Sequence, residues 1–80
     1  MQTIYGETSC VNHATIYAYC PVGTVAIGGS YGLRGWSSGS NHNSPDSMVL
    51  DPDNNRFIIS LPNNSKGDAC FQAIVNCTSN

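Results

Sequence analysis

Eighty residues make one domain, and a core of that size supplies only a few kcal/mol unless it is stapled. Only 10% of the residues are charged and the net charge is −2. This argues against nucleic acid as a partner, which needs Lys and Arg to neutralise phosphate, and against docking on an anionic membrane by charge. No apolar run reaches the length of a membrane span, so no membrane insertion is expected.

The staples are Cys10, Cys20, Cys70 and Cys77. Four cysteines in a small chain rich in Gly, Asn and Ser read as two disulfides in an oxidising compartment. Zinc would need close C-x2-C pairs, which the spacing does not provide. Three connectivities are open. Local closure, Cys10–Cys20 with Cys70–Cys77, would staple little. The preferred pairing, Cys20–Cys77 with Cys10–Cys70, joins the two ends of the chain. The start, Met1-Gln2-Thr3-Ile4-Tyr5-Gly6, has neither the cationic region nor the apolar run of a secretory leader. With cysteines that imply export, the expectation is a single module, residues 1–80, cut from a longer exported protein.

In chain order, Ala14, Ile16 and Ala18 alternate with Thr15, Tyr17 and Tyr19, a period-two strand that ends at Cys20. Pro21-Val22-Gly23 is a turn, with Pro fixing φ and Gly free to take positive φ. Thr24–Ile27 is a short strand whose Val25 and Ile27 are expected to fill the core. Gly28-Gly29 ends it, or marks a bulge where a partner approaches closely. From Ser30 to about Ser47 the composition predicts a long loop, and long loops in small domains are usually functional or disordered. Ser47–Leu50 and Arg56–Leu61 form a hairpin around the turn cluster Asp51-Pro52-Asp53-Asn54-Asn55. Pro62–Asp68 is a second loop. Ala69–Cys77 is the last strand, with Phe71, Ala73, Val75 and Cys77 on one face and Cys70, Gln72, Ile74 and Asn76 on the other. The fold class is therefore all-β: a small antiparallel sheet or sandwich of about five short strands.

Catalytic and metal patterns fail on inspection. Gly28-Gly29-Ser30-Tyr31-Gly32 matches the letters of a nucleophile elbow. It lacks the helix that must follow, and no His lies beyond Asp46 to complete the Ser, acid, His order. His13 and His42 have no further ligands at metal spacing. Asp51, Asp53 and Asn55 imitate half a calcium loop, but Arg56 stands where Gly is needed and Pro62 where Glu is needed. Turn chemistry explains them better, since Asp and Asn bond nearby amides and tolerate left-handed backbone. The chain is expected to be no enzyme and to carry no metal or cofactor.

What remains is the polar loop and the single Trp36. An indole presents a flat apolar face and one donor, which suits the C–H face of a sugar, although the same ring could fold back and cap a small core. Tyr31, Arg34, Asn41, His42, Asn43 and Asp46 would surround it with hydrogen-bonding groups.

Cys20-Pro21-x-Gly23, followed by Gly28-Gly29-x-Tyr31, resembles a pattern of exported bacterial and phage tail proteins. Together with Ser44-Pro45-Asp46 and the ending Cys70-Phe71-Gln72-Ala73-Ile74-Val75-Asn76-Cys77, it resembles the exchangeable C-terminal segments of shufflon PilV proteins, tip adhesins of conjugative type IV pili. The resemblance implies an extracellular module at a pilus tip, joined to the remainder of the pilus protein. It would recognise a cell-surface glycan, lipopolysaccharide, on recipient bacteria. It transfers no binding residue, because those positions vary among segments. The alternative expectation is a structural cap or assembly domain of a pilus or phage tail fibre.

Overall fold

A computed structural model of the protein describes residues 1–36, 44–64 and 67–79. It shows six strands: β1 (Gln2–Ser9), β2 (Thr15–Tyr19), β3 (Thr24–Trp36), β4 (Ser47–Asp51), β5 (Arg56–Ser60) and β6 (Ala69–Ser79). They form two three-stranded antiparallel sheets, a front sheet ordered β1-β6-β3 and a back sheet ordered β2-β5-β4. The all-β class and the hairpin β4–β5 follow the sequence patterning.

The sheets pack face to face, and β2, β5 and most of β6 bury every second residue, while β4 at the edge stays exposed. Ile16 and Ala18 of β2 and Phe57 and Ile59 of β5 meet Phe71, Ala73, Val75 and Cys77 of β6. Phe71 is the largest of this core's fully buried side chains. The two disulfides are Cys10–Cys70 and Cys20–Cys77, the pairing expected from joining the chain ends. Their roles differ. Cys10 follows β1 beside the pair Ser9↔Phe71, so Cys10–Cys70 lies within the front sheet. Cys20 directly follows β2 and Cys77 belongs to β6, so Cys20–Cys77 ties one sheet to the other.

Side chains seal both flanks of the sandwich. Glu7 accepts a hydrogen bond from the edge amide of Tyr17 at 2.8 Å. Gly6 lets β1 close on β2, since a Cβ there would stand 2.6 Å from the Cα of Ala18. On the other flank Asn55 sits in the left-handed region at φ 55°. Its amide accepts from the N–H of Ala26 and donates to the carbonyl of Thr24, both at 2.7 Å, as a neighbouring strand would. The Asp51–Asn55 cluster is thus turn chemistry that also bridges the sheets. Gly23 takes φ 91°, the positive φ expected of its turn.

Three expectations need correction. First, Gln2–Ser9 is a strand that the alternation did not reveal, because its outer half is polar and Gly6-Glu7 interrupts the period. Second, Val25 and Ile27 do not fill the core. Ala26 is the buried residue, opposite Cys77, and the register shift between Ala26 and Gly28 throws Ile27 out of phase and leaves it 50% exposed. Third, the loop does not begin at Ser30. β3 continues to Trp36, pairing Tyr31 with Ala73, Leu33 with Phe71 and Trp36 with Ala69. Gly32, expected in the loop, leaves room for a neighbour, since a Cβ there would stand 2.8 Å from the Arg34 guanidinium carbon. At Gly28-Gly29 the alternative of a bulge with a close approach holds, since β3 shifts register before Gly28 and a Cβ on Gly29 would run into the Phe57 ring.

Candidate functional site

The continuation of β3 redistributes the residues expected to form a binding loop. Tyr31 points inward and packs against Phe71, with ring centroids 5.9 Å apart, so it is a core residue. Arg34 is exposed on the outer face of the front sheet. Trp36 is the last residue of β3. Asp46 lies in front of β4 in the back sheet, where its N–H donates to the carbonyl of Ser60 at 2.8 Å. Asn41, His42 and Asn43 lie outside the described residues. The structure therefore does not gather Tyr31, Arg34 and Asp46 at one place.

It gathers Arg34 with residues that the sequence did not single out. Position by position, Tyr5 pairs with Ile74 and Ile74 with Ser30; Thr3 pairs with Asn76 and Asn76 with Gly28. These side chains share the outer face of the front sheet, because their neighbours Ile4, Val75 and Gly29 stand at inward positions. The Tyr5 ring is 61% exposed and is the aromatic surface of this face. The guanidinium carbon of Arg34 lies 5.9 Å from the centre of that ring. Arg34 donates from Nε to Oε1 of Gln72 at 2.7 Å. Gln72 donates in turn from Nε2 to the carbonyl of Gly6 at 3.0 Å, which fixes its oxygen toward the arginine. Thr3 donates to Oδ1 of Asn76 at 3.1 Å. Between its two register shifts β3 presents Gly28, Ser30 and Gly32 outward, with Arg34 folded over Gly32, so the face is low beside Ile74 and Asn76 and rises to Tyr5 on β1.

Gln72 and Asn76 were legible as outward residues of the last strand. Tyr5 was not, because its strand was not. A count of β-formers in Thr3, Ile4, Tyr5 and Thr8 was the one available signal.

The outer face of the back sheet carries a second cluster. Arg56 lies 4.4 Å over the Tyr17 ring and 5.7 Å from that of Tyr19. It pairs with Asp51 at 2.8 Å and donates to the Tyr19 hydroxyl at 2.9 Å. The side-chain hydrogen bond from Asn54, and then Arg56 itself, hold the Asp51 carboxyl below its ordinary value.

Other features hold no chemistry of their own. A depression of about 240 Å³ at one end of the front sheet is lined by Met1, Gln2, Thr24, Cys77, Thr78 and Ser79, without a side-chain acid or base. Asn64 is buried and satisfied: it donates to the carbonyls of Cys10 and Ala69 and receives the N–H of Ala69. Among the described residues no cluster of His, Cys, Asp and Glu could hold a metal ion, and no helix is long and apolar enough to cross a membrane. Comparison with family models, with curated proteins and with solved structures finds no match for the chain.

Proposed function

We propose that this chain is a recognition module of an exported protein and binds cell-surface glycan on the outer face of its front sheet. The observation that carries the reading is the exposed Tyr5 ring beside Arg34, set against a shelf of Ser30, Gln72 and Asn76. A phenol ring offers an apolar plane to the C–H face of a sugar and keeps a polar tip for its hydroxyls. Neutral amides and hydroxyls give and take hydrogen bonds without a desolvated charge. Two disulfides suit an oxidising, external setting. The narrower reading is a tip adhesin of a conjugative type IV pilus that selects recipients by lipopolysaccharide, attached through the remainder of the pilus protein. It rests on the motif resemblance at Cys20–Tyr31 and Cys70–Cys77.

The test applies purified module to lipopolysaccharides from a panel of strains, beside Tyr5→Ala and Trp36→Ala. Binding to some strains and its loss in Tyr5→Ala is the expected result. Absence of binding to all of them refutes glycan recognition. Loss in Trp36→Ala alone moves the site to the end of β3.

A structural cap or assembly domain is the second reading, and one observation favours it. Edge strand β4 exposes Met48, Val49 and Leu50 with no Lys or Pro to block further pairing. Sedimentation of wild type and Val49→Lys decides between them. A stable oligomer dispersed by Val49→Lys supports the cap, and a monomer at all concentrations excludes it.

A further inference from the structure

The chain's basic residues are Arg34, Arg56 and Lys66, and the first two lie among the described residues. Arg56 is spent on Asp51. Arg34 has a different partner set. Its Nε–H is taken by a neutral amide oxygen, that of Gln72, and among the described residues no carboxylate pairs with it. The amide cannot turn freely, since its other end is bonded to the carbonyl of Gly6. Beneath the guanidinium stands Gly32, where a Cβ would come within 2.8 Å of the Arg34 Cζ and 2.9 Å of one of its terminal nitrogens. The group is thus held by Nε, shelved over bare backbone and set beside a tyrosine ring. Among the described residues no hydrogen-bond or ion-pair partner takes its Nη1 and Nη2 edge. That edge matches the two oxygens of a carboxylate or phosphate, and charge-assisted pairs of this kind are about twice as strong as neutral ones.

We propose that Arg34 determines specificity on this face, and that the glycan it reads is acidic, with a phosphate or carboxylate on the sugar placed beside Tyr5. The proposal rests on the glycan reading above and adds the charge of the ligand to it. Tyr5 takes the sugar ring, Arg34 takes the anion, and Gln72 with Gly32 position Arg34. A net charge of −2 on the whole chain makes nonspecific attraction of anions an inadequate source of such a preference.

The experiment titrates the 15N-labelled chain with galactose 6-phosphate, galacturonate, galactose and inorganic phosphate, following the Arg34 Nε–H and Gln72 side-chain signals. The expected result is at least a tenfold preference for the acidic sugars over galactose, weakening as salt rises, with both signals shifting. Arg34→Gln should abolish the preference for the acidic sugars over galactose. Gln72→Glu, which supplies Arg34 with an internal carboxylate, should do the same. Gly32→Ala, which displaces the guanidinium without changing charge, should also reduce it, and a mere surface-charge effect would leave that variant unchanged. Equal binding of galactose and the acidic sugars overturns the inference and leaves glycan recognition standing. Inorganic phosphate binding as tightly as galactose 6-phosphate overturns it in favour of a bare anion site. Failure of every sugar to bind the folded chain overturns both readings.

Discussion

The two outer faces of this sandwich use the same pair of residue types for different ends. On the back sheet Arg56 lies over Tyr17, bonds the hydroxyl of Tyr19 and is neutralised by Asp51. On the front sheet Arg34 lies beside Tyr5 and is held by Gln72, a partner that fixes direction without cancelling charge. The difference is one carboxylate. Where it is present, the cluster is closed and joins β2, β5 and the turn after β4. Where an amide replaces it, the cluster is ordered and still has a charge to offer. An arginine beside an aromatic ring is therefore not a site by itself. What its remaining N–H groups face decides the matter.

Both faces stand on one scaffold, so the largest effect comes from removing what joins their sheets. Cys20→Ser with Cys77→Ser deletes the inter-sheet bridge, whose sequence separation of 57 corresponds to about 4 kcal/mol in the loop-entropy account. That is most of what a domain this small has to spare, and Cys77→Ser alone breaks the same bridge. Near-UV circular dichroism and urea midpoints should show the double variant largely unfolded at physiological temperature, with both faces lost. A cooperative transition near the wild-type midpoint would show that sheet packing suffices without the bridge.

A smaller effect separates the two sides of β3. Gly29→Ala places a methyl against the Phe57 ring and the carbonyl of Ile74, and overpacking of this kind costs about 1–3 kcal/mol. Gly28 has open space at the corresponding point, so Gly28→Ala should fall within about 0.5 kcal/mol of wild type. Equal midpoints for the two variants would mean that the Phe57 ring yields and that the glycine pair is not there for packing.

These glycines also show where the sequence was readable. Period-two alternation placed Ile16, Ala18, Phe57, Ile59, Phe71 and Val75 on buried faces, because a strand facing a core must alternate. The disulfide pairing was readable because two staples on so small a core matter most when they close long loops. The course of β3 past Gly28 was not readable. A glycine under a ring or a guanidinium has the same local signature as a glycine in a loop: the Phe57 ring over Gly29 comes from a distant part of the chain, and Arg34, two residues on, folds back over Gly32 only because the strand continues. Phe57 and Arg34 make that distinction, and neither lies beside Gly29. The same holds for Ile27, whose exposure follows from one bulge against β6. Of the expected site, Arg34 is on the proposed face, Tyr31 is in the core, and Tyr5 was hidden in a strand without alternation.

The face comparison itself is broken or sharpened by exchanging the arginines' fates. Arg34→Gln should leave the urea midpoint unchanged and lose acidic-sugar binding. Arg56→Gln should leave binding unchanged and lower the midpoint, since it strips Asp51 and Tyr19 of a shared partner and uncovers Tyr17. If Arg34→Gln lowers the midpoint as much as Arg56→Gln does, both clusters are structural and the front face loses its claim to a ligand.

The smallest expected effect is the response to acid, and it should be confined to one face. The Asp51 carboxyl is held below its ordinary value of 3.8, first by the side-chain hydrogen bond from Asn54 and then by that from Arg56. A carboxyl whose folded value is depressed binds its proton more readily in the unfolded chain. Its contribution is therefore complete above the unfolded value and is lost as the pH falls through the lower, folded one. Urea midpoints of wild type and Asp51→Asn should differ at neutral pH and converge on acidification below that range. Gln72 occupies the matching place beside Arg34 and has no proton to gain there, so the difference between wild type and Gln72→Ala should stay constant over the same acid range. A Gln72→Ala difference that also closed in acid would require a carboxylate acting on the front face. Arg34 would then be partnered like Arg56, and its free edge would not be available to an acidic sugar.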